Sequence, residues 1–409
     1  MNDTKISQAV TYGAFLFSIG IIGISVISVI FPALIISQTY EFETTLNPLE
    51  TSPWTIPIIL TTLITLVIGF LYYKQKLPES ITSIINFALC FEISRKIAII
   101  TGISILAIYI GLSIPELFFD ELEQWPDYTI LEAALNIWPS TENTFSVYIK
   151  EQNTRYVRMF LLDFSQELFQ NIKILPFIAS ISSIIFTALI TIQLSKKRFA
   201  GIIAMIILLQ SITFTDFDTV AVYENFWVLF YLISIYSINA KWWHASSVSF
   251  ILSIFTKAFV ALYGWMNFFY IYRAEISVKT KLFLFMSYGI VIGITYWIFE
   301  TQRSIIYDDI VRYSFTAFAE AFTGWGNSMQ FDPFAILFIL PLSIALLFKS
   351  KNGLKQADSI LILIAGSILA GPLISFVTDF YFILPYRFIP FIAFMAIGVG
   401  LIFSKKTIP

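Results

Sequence analysis

The 409-residue chain has one cysteine, Cys90, and one histidine, His244. A single cysteine excludes an internal disulfide and any cysteine-rich metal site. A single histidine excludes histidine-cluster metal chemistry and argues against a membrane-embedded histidine acyltransferase. Charge is scarce as well: Asp, Glu, Lys and Arg make up 13% of the residues, against about 25% in soluble globular chains. The formal net charge of −2 offers nothing to nucleic acid. Alternating ten-residue segments, the mark of a membrane barrel, do not occur. The first apolar run, 11–37, is too long for a cleaved leader and lacks a small-residue cleavage site. No soluble domain is expected at either end, and no internal repeat is found.

What the chain does have is apolar length. Hydrophobic residues reach 57% and the mean hydropathy is +0.80. The apolar runs match the roughly 20 residues that cross a bilayer core. The fold class expected is all-α, a polytopic integral membrane protein, because helices satisfy their own backbone hydrogen bonds in lipid. Aromatic content of 17%, with 42 Phe, suits interfacial belts. Apolar runs predict twelve spans: 11–37, 55–73, 97–114, 175–193, 199–215, 220–238, 245–257, 258–272, 282–300, 333–348, 358–377 and 383–403. They divide the chain into three parts. Residues 1–96 form a two-helix membrane hairpin with an interfacial segment. Residues 97–300 form a membrane core carrying a loop at 115–174. Residues 301–409 form a second loop and three spans.

Basic residues set the orientation. With both termini inside, Lys5, Lys74, Lys76, Arg95, Lys96, Lys196, Lys197, Arg198, Lys241, Arg273, Lys279, Lys281, Lys349, Lys351, Lys355, Lys405 and Lys406 are all cytoplasmic. That is 17 of the 25 basic residues. Only Asp3, Glu79, Glu92, Glu275 and Asp358 join them, five of the 27 acids. The location expected is a plasma membrane, with 115–174 and 301–332 on the exterior.

The stretch "PELFFDELEQWPDY" (115–128) sets Glu116, Asp120, Glu121, Glu123 and Asp127 at the exterior lip of an uncharged run. Behind it, 128–138 places Ile130, Leu131, Ala134, Leu135 and Trp138 on one helical face. Residues 155–172 repeat the pattern with Val157, Phe160, Leu161, Phe164, Leu168 and Ile172. Such helices lie flat in the interface. Segment 301–332 predicts an interfacial helix followed by the glycine-bearing loop "TGWGNSMQFDP". Asp308 and Arg312 stand at i,i+4, the spacing of a helix-surface pair. "TDFDT" (215–219) predicts a tight turn whose aspartates cap the next helix. His244, in "KWWH", belongs to an inner aromatic belt.

Lys257 and Glu224 fall at membrane depth, where an ionisable group needs a partner or a task. They are expected either to pair with each other or to leave Lys257 beside a phosphate or a polar cavity. Lys257 also divides 245–272 into halves too short to span upright. This predicts a broken or re-entrant hairpin, with one long tilted helix as the alternative.

A long first exterior loop of interfacial helices, with acids just after the preceding span, resembles the GT-C superfamily of membrane glycosyltransferases. "FFDE" (118–121) is similar to the Phe-Asp-Glu at the corresponding place in protein O-mannosyltransferases. "KKRFAGIIAMIILLQSITFTDFDTVAVYENFWVLFYLISIYSI" and "SFILSIFTKAFVAL" resemble the family's central helices. The resemblance covers roughly 97–300 and is partial: two spans precede it and no soluble C-terminal domain follows. It implies transfer of a sugar from a polyprenyl-phosphate donor to a glycan, lipid or protein acceptor on the exterior face. Asp120 would be the general base. Glu121 would position the acceptor or a divalent ion such as Mg or Mn. Arg155, Arg158, Arg303, Arg312, Arg387 and Lys257 would be the cations available to the donor phosphate.

Two other classes compete. A transporter needs broken helices in paired repeats, and only 245–272 qualifies. A non-catalytic subunit of a larger membrane complex would use the exterior loop for docking. Polysaccharide ligases of similar texture carry an exterior histidine, which this chain lacks.

Overall fold

The computed structural model describes residues 2–35, 47–139, 152, 155–306, 313–378 and 384–404. Among them the regular structure is helical, without strands. In chain order the helices are α1 (Asn2–Ile30), α2 (Thr55–Tyr73), α3 (Glu79–Cys90), α4 (Arg95–Ser113), α5 (Glu121–Gln124) and α6 (Tyr128–Ile137). There follow α7 (Tyr156–Phe169), α8 (Ile174–Ser195), α9 (Arg198–Leu209), α10 (Ile212–Thr215), α11 (Phe226–Asn239) and α12 (Trp243–Thr256). The last are α13 (Gly264–Arg273), α14 (Val278–Ile306), α15 (Phe315–Met329), α16 (Pro333–Lys351), α17 (Gln356–Thr378) and α18 (Ile389–Ile402). Segments of 3₁₀ helix lie at Ile114–Phe118, Ala258–Tyr263 and Pro385–Phe388.

Eight stretches are long and apolar enough to cross a membrane: Lys5–Ile30, Thr55–Tyr73, Arg95–Phe118, Ile174–Ser195, Val278–Ile298, Pro333–Lys351, Gln356–Thr378 and Pro385–Ile402. They coincide with eight of the twelve expected spans, and the chain is a polytopic helical membrane protein. The other four expected spans, between 199 and 272, are shorter helices. Helix α9 has 12 residues, α11 and α12 have 14 each, and α13 has 10. At 1.5 Å per residue these measure about 15–21 Å, short of the roughly 30 Å hydrocarbon core.

The break at Lys257 is real. Helix α12 stops at Thr256, Lys257 is extended (φ −143°, ψ 107°), and a 3₁₀ segment leads into α13. One continuous tilted helix is not formed. The glycine-bearing stretch expected to be a loop is instead the C-terminal half of α15, with Gly324, Trp325 and Gly326 buried. Its small residues allow close approach: a Cβ on Gly326 would lie 3.0 Å from Ser28 Oγ.

The chain folds as two compact units, one from 1–100, 187–213 and 312–409, the other from 101–186 and 214–311. In the first, α1 buries Thr11, Ala14, Ser18, Ile21, Ile22, Ser25, Ser28 and Val29, a stripe recurring every three to four residues. Small and hydroxyl side chains let helices close on one another in lipid. Ser28 Oγ donates to Phe322 O at 3.0 Å, and Thr11 Oγ1 donates to Asp358 Oδ2 at 3.1 Å. Helices α9 and α18 meet at Gly400, where a Cβ would stand 2.9 Å from Ala200 O and crowd the Thr191 methyl.

The second unit is tied by buried hydroxyls and amides. Tyr231 Oη donates to Asn267 Oδ1 at 2.8 Å, and Ser253 Oγ donates to Trp227 O at 2.6 Å. Tyr288 Oη and Ser246 Oγ lie 2.7 Å apart. Helix α7 turns Arg158, Met159, Leu162 and Ser165 inward. Its opposite face shows Phe160, Phe164 and Leu168 exposed. An outward apolar row of this kind suits a helix lying in the interface.

Candidate functional site: the acidic lip

Helix α4 ends at Ser113, and the 3₁₀ turn Ile114–Phe118, with Pro115 in its first positions, follows directly. Asp120 then caps α5, its Oδ1 accepting from Leu122 N at 2.9 Å. This is the usual use of Asp before a helix start. Asp120 is exposed and follows Phe118 and Phe119, which are 78% and 52% exposed. A carboxylate is thereby fixed beside two outward aromatic side chains.

The neighbouring acids are occupied. Glu121 is buried; its Oε1 accepts from Ala221 N at 2.7 Å and Val222 N at 3.0 Å, and its Oε2 lies 3.1 Å from Lys173 Nζ. Glu116 Oε2 accepts from Thr219 Oγ1 at 3.2 Å, and Asp127 Oδ2 accepts from Tyr223 Oη at 2.7 Å. Ser113 Oγ donates to Asp218 Oδ2 at 3.1 Å. Read in order, 113, 116, 121 and 127 are joined to 218, 219, 221–222 and 223. Two segments read separately in the sequence form one clasp. Trp125, Phe217 and Tyr223 pack as an aromatic trio on it, with centroids 5.1–5.7 Å apart.

Lys173, at the start of α8, closes the clasp from the other side. Its Nζ donates to Glu116 O at 3.2 Å and Gln124 Oε1 at 3.4 Å besides pairing with Glu121. Asn171 Nδ2 donates to Leu117 O at 2.9 Å. Sequence reasoning passed over Lys173. The available signal is that it is the single cation between Arg158 and Lys196.

Asp218 is the electrostatically unusual group. Burial pushes its carboxyl up to about 7, and the nearby Glu116 and Asp216 charges push the same way. Hydrogen bonds from Tyr109 and Ser113 act against the rise. Tyr128 is also raised, first by burial and then by Glu132, Glu121 and Asp120. The expected capping role of "TDFDT" is not what forms: Asn225 is the N-cap of α11 and makes no side-chain cap bond. The capping carboxylate is Asp332, which accepts from Ile212 N and Thr213 N at 3.0 Å each in the first unit.

The expected phosphate cations are placed unequally. Arg158 is buried, with Nε 2.9 Å from Glu224 Oε2, Nη2 donating to Val222 O at 2.7 Å and Nη1 donating to Gln152. The ion partner of Glu224 is therefore Arg158, where the sequence suggested Lys257. Stranding one buried charge of such a pair costs about 3–5 kcal/mol. Arg155 is half-buried and donates to Gln152 Oε1 at 3.2 Å. Lys257 is buried at the helix break. Arg387 belongs to the first unit and lies against Tyr386, Nε to Oη 3.2 Å. The Arg303 side chain, Asp308 and Arg312 lie outside the described residues. His244 is exposed, its ring 5.1 Å from that of Phe283.

A divalent ion does not fit at Glu121. Both carboxylate oxygens are engaged, one of them by an ammonium that would repel a cation. Among the described residues no group of three or more His, Cys, Asp or Glu is placed to hold a metal.

Fold and site together define a class: a polytopic α-helical membrane protein whose third long helix ends in an ordered acidic lip. No protein-family model, curated protein or solved structure matches the chain.

Proposed function

We propose that the protein is a membrane glycosyltransferase of GT-C type. It moves a sugar from a polyprenyl-phosphate donor to a hydroxyl acceptor at the exterior face. Twelve crossings, cytoplasmic termini and a plasma-membrane location belong to the same proposal, with the short helices between 198 and 273 supplying the extra crossings. The observation that carries it is the division of labour at the lip. Glu116, Glu121 and Asp127 are bound into the clasp, whereas Asp120 is exposed, oriented by one backbone bond and flanked by outward aromatics. That is where a lipid-borne sugar phosphate meets water.

In the reaction the acceptor hydroxyl gives its proton to the Asp120 carboxylate as its oxygen bonds to the anomeric carbon. The bond from that carbon to the phosphate oxygen breaks, and the lipid phosphate leaves with the electron pair. Arg155 and Lys257 are the cations of the same unit with described side chains that remain assigned to the phosphate; Arg303 is retained as a further candidate, and Arg312 and Arg387 belong to the other unit. Glu121 acts through position alone, holding the turn that presents Asp120. No step is routed through a metal.

The test is transfer of labelled hexose from polyprenyl-phosphate-hexose in membranes containing the protein. A general base supplies about 10²–10⁴-fold in rate, so Asp120→Asn should lose that factor while expression and donor binding survive. Glu123→Gln should change little. Transfer by Asp120→Asn at the parental rate removes the residue from the mechanism. If the parent neither binds nor consumes any such donor, the non-catalytic subunit reading takes its place. That reading draws on α2 and the 95–118 span, of which only 6% and 11% of the apolar window is covered by protein.

A further inference from the structure

Helix α3 connects two helices long and apolar enough to cross a membrane and is itself too short to do so. Pro78 precedes it, 12 residues follow, and none of them is buried. Its length is about 18 Å, and in the chain it falls between the end of the apolar stretch Thr55–Tyr73 and the start of Arg95–Phe118. Ile81, Ile84 and Phe87 form an outward row, 44%, 68% and 68% exposed.

The helix is nevertheless firmly seated. On its covered side Tyr72 Oη donates to Asn86 Oδ1 at 2.6 Å. Lys197 Nζ donates to Leu89 O at 2.6 Å, satisfying a carbonyl in the last turn. Glu92 Oε1 accepts from Arg198 N at 3.1 Å, and Phe91 meets Phe199 edge-on at 4.8 Å. The side carrying Ile85, Asn86, Ala88 and Leu89 is half-covered by protein, and the side carrying Ile81, Ile84 and Phe87 is open.

Charge around this helix is one-sided. Lys74, Lys76, Arg95, Lys96, Lys196 and Arg198 are all exposed, whereas the nearby carboxylates are Glu79 and Glu92. The cations stand before α3, after it and on the adjoining turn. They surround an apolar row that can enter acyl chains only to headgroup depth.

We propose that α3 and this basic rim form a docking surface for anionic lipid headgroups. The apolar row sinks to the acyl boundary, and the rim cations hold the phosphate-bearing headgroups of the same leaflet. Of the occupants available to an open amphipathic face, an acidic lipid surface answers both the apolar row and the excess of positive charge. A zwitterionic surface answers only the first.

The chain supplies its own probe: Cys90, the sole cysteine, is exposed at the C-terminal end of α3. The full-length protein, carrying a fluorophore on Cys90, is reconstituted in phosphatidylcholine vesicles with spin-labelled phosphatidylglycerol or spin-labelled phosphatidylcholine at equal mole fraction. The expected result is about five-fold stronger quenching by the anionic lipid, the enrichment one basic contact near an acidic surface supplies. High salt should erase the excess. So should Lys74→Gln with Lys76→Gln, and separately Arg95→Gln with Lys96→Gln. The salt arm needs no substitution and stands if a variant fails to fold. Equal quenching by the two lipids would overturn the headgroup assignment. Absence of quenching by either would show that a second copy or another protein covers the face.

Discussion

Asp218 shows what one side chain imposes on the rest. Its folded value, about 7, lies above the 3.8 of an unperturbed aspartate. Between those values the folded protein holds the proton more tightly than the unfolded one. Stability from this group is therefore complete at low pH and is lost as pH rises through about 7. We expect the parental protein to lose on the order of 2–4 kcal/mol from this site between pH 5 and pH 8. Asp218→Asn keeps an acceptor for Ser113 and cannot ionise, so its thermal midpoint should vary less over that interval. Parallel pH profiles for the two proteins would sink the assignment. The aspartate was visible in the sequence as part of a turn, but its burial was not. Nothing in "TDFDT" reports that Ser113 and Tyr109, more than a hundred residues earlier, close over it. Arg158 and Glu224 teach the same lesson. Each was recognisable as an isolated charge, yet their pairing is tertiary, and local spacing carries no record of it.

Elements were far more legible than partners. Eight long helices follow from hydropathy alone, since an uncharged run of about 20 residues has few alternatives. In 198–273 the stop of α9 at Gln210 escaped because no glycine or proline marks it, whereas the break of α12 at Lys257 was legible from the charge itself. Close packing was also hidden. Gly400 looks like any other glycine of an apolar helix, but its α-carbon faces Ala200 O and Thr191. Gly400→Ala should force α9 and α18 apart, at about 1–3 kcal/mol for an overpacked contact. Gly69 has no heavy atom within 4 Å of an added Cβ, and Gly69→Ala serves as the control. Unfolding midpoints in one detergent compare the two. An undisturbed Gly400→Ala protein would contradict the close approach.

At the scale of the whole molecule, parity decides sidedness. Eight long crossings and twelve crossings assign every loop outside 198–273 to the same side, provided 198–273 returns to the side it left. Cys90 and a cysteine at Lys355 should then react with an impermeant maleimide from one face. A cysteine at Thr129, in a protein with Cys90→Ser, should react from the other. Reaction of the Lys355 cysteine from the face opposite Cys90 means that 198–273 crosses an odd number of times; reaction of the Thr129 cysteine from the face of Cys90 means that 95–118 does not cross, which would remove the acidic lip from the side opposite α3.

Lys173 also has a mechanical role in the fold. One ammonium reaches a backbone carbonyl, a carboxylate and an amide oxygen of the same turn, and it stands at the first residues of a membrane-crossing helix. The lip is thus bolted to a rod anchored in the bilayer. A load on the lip passes through the Lys173 contacts to the start of α8.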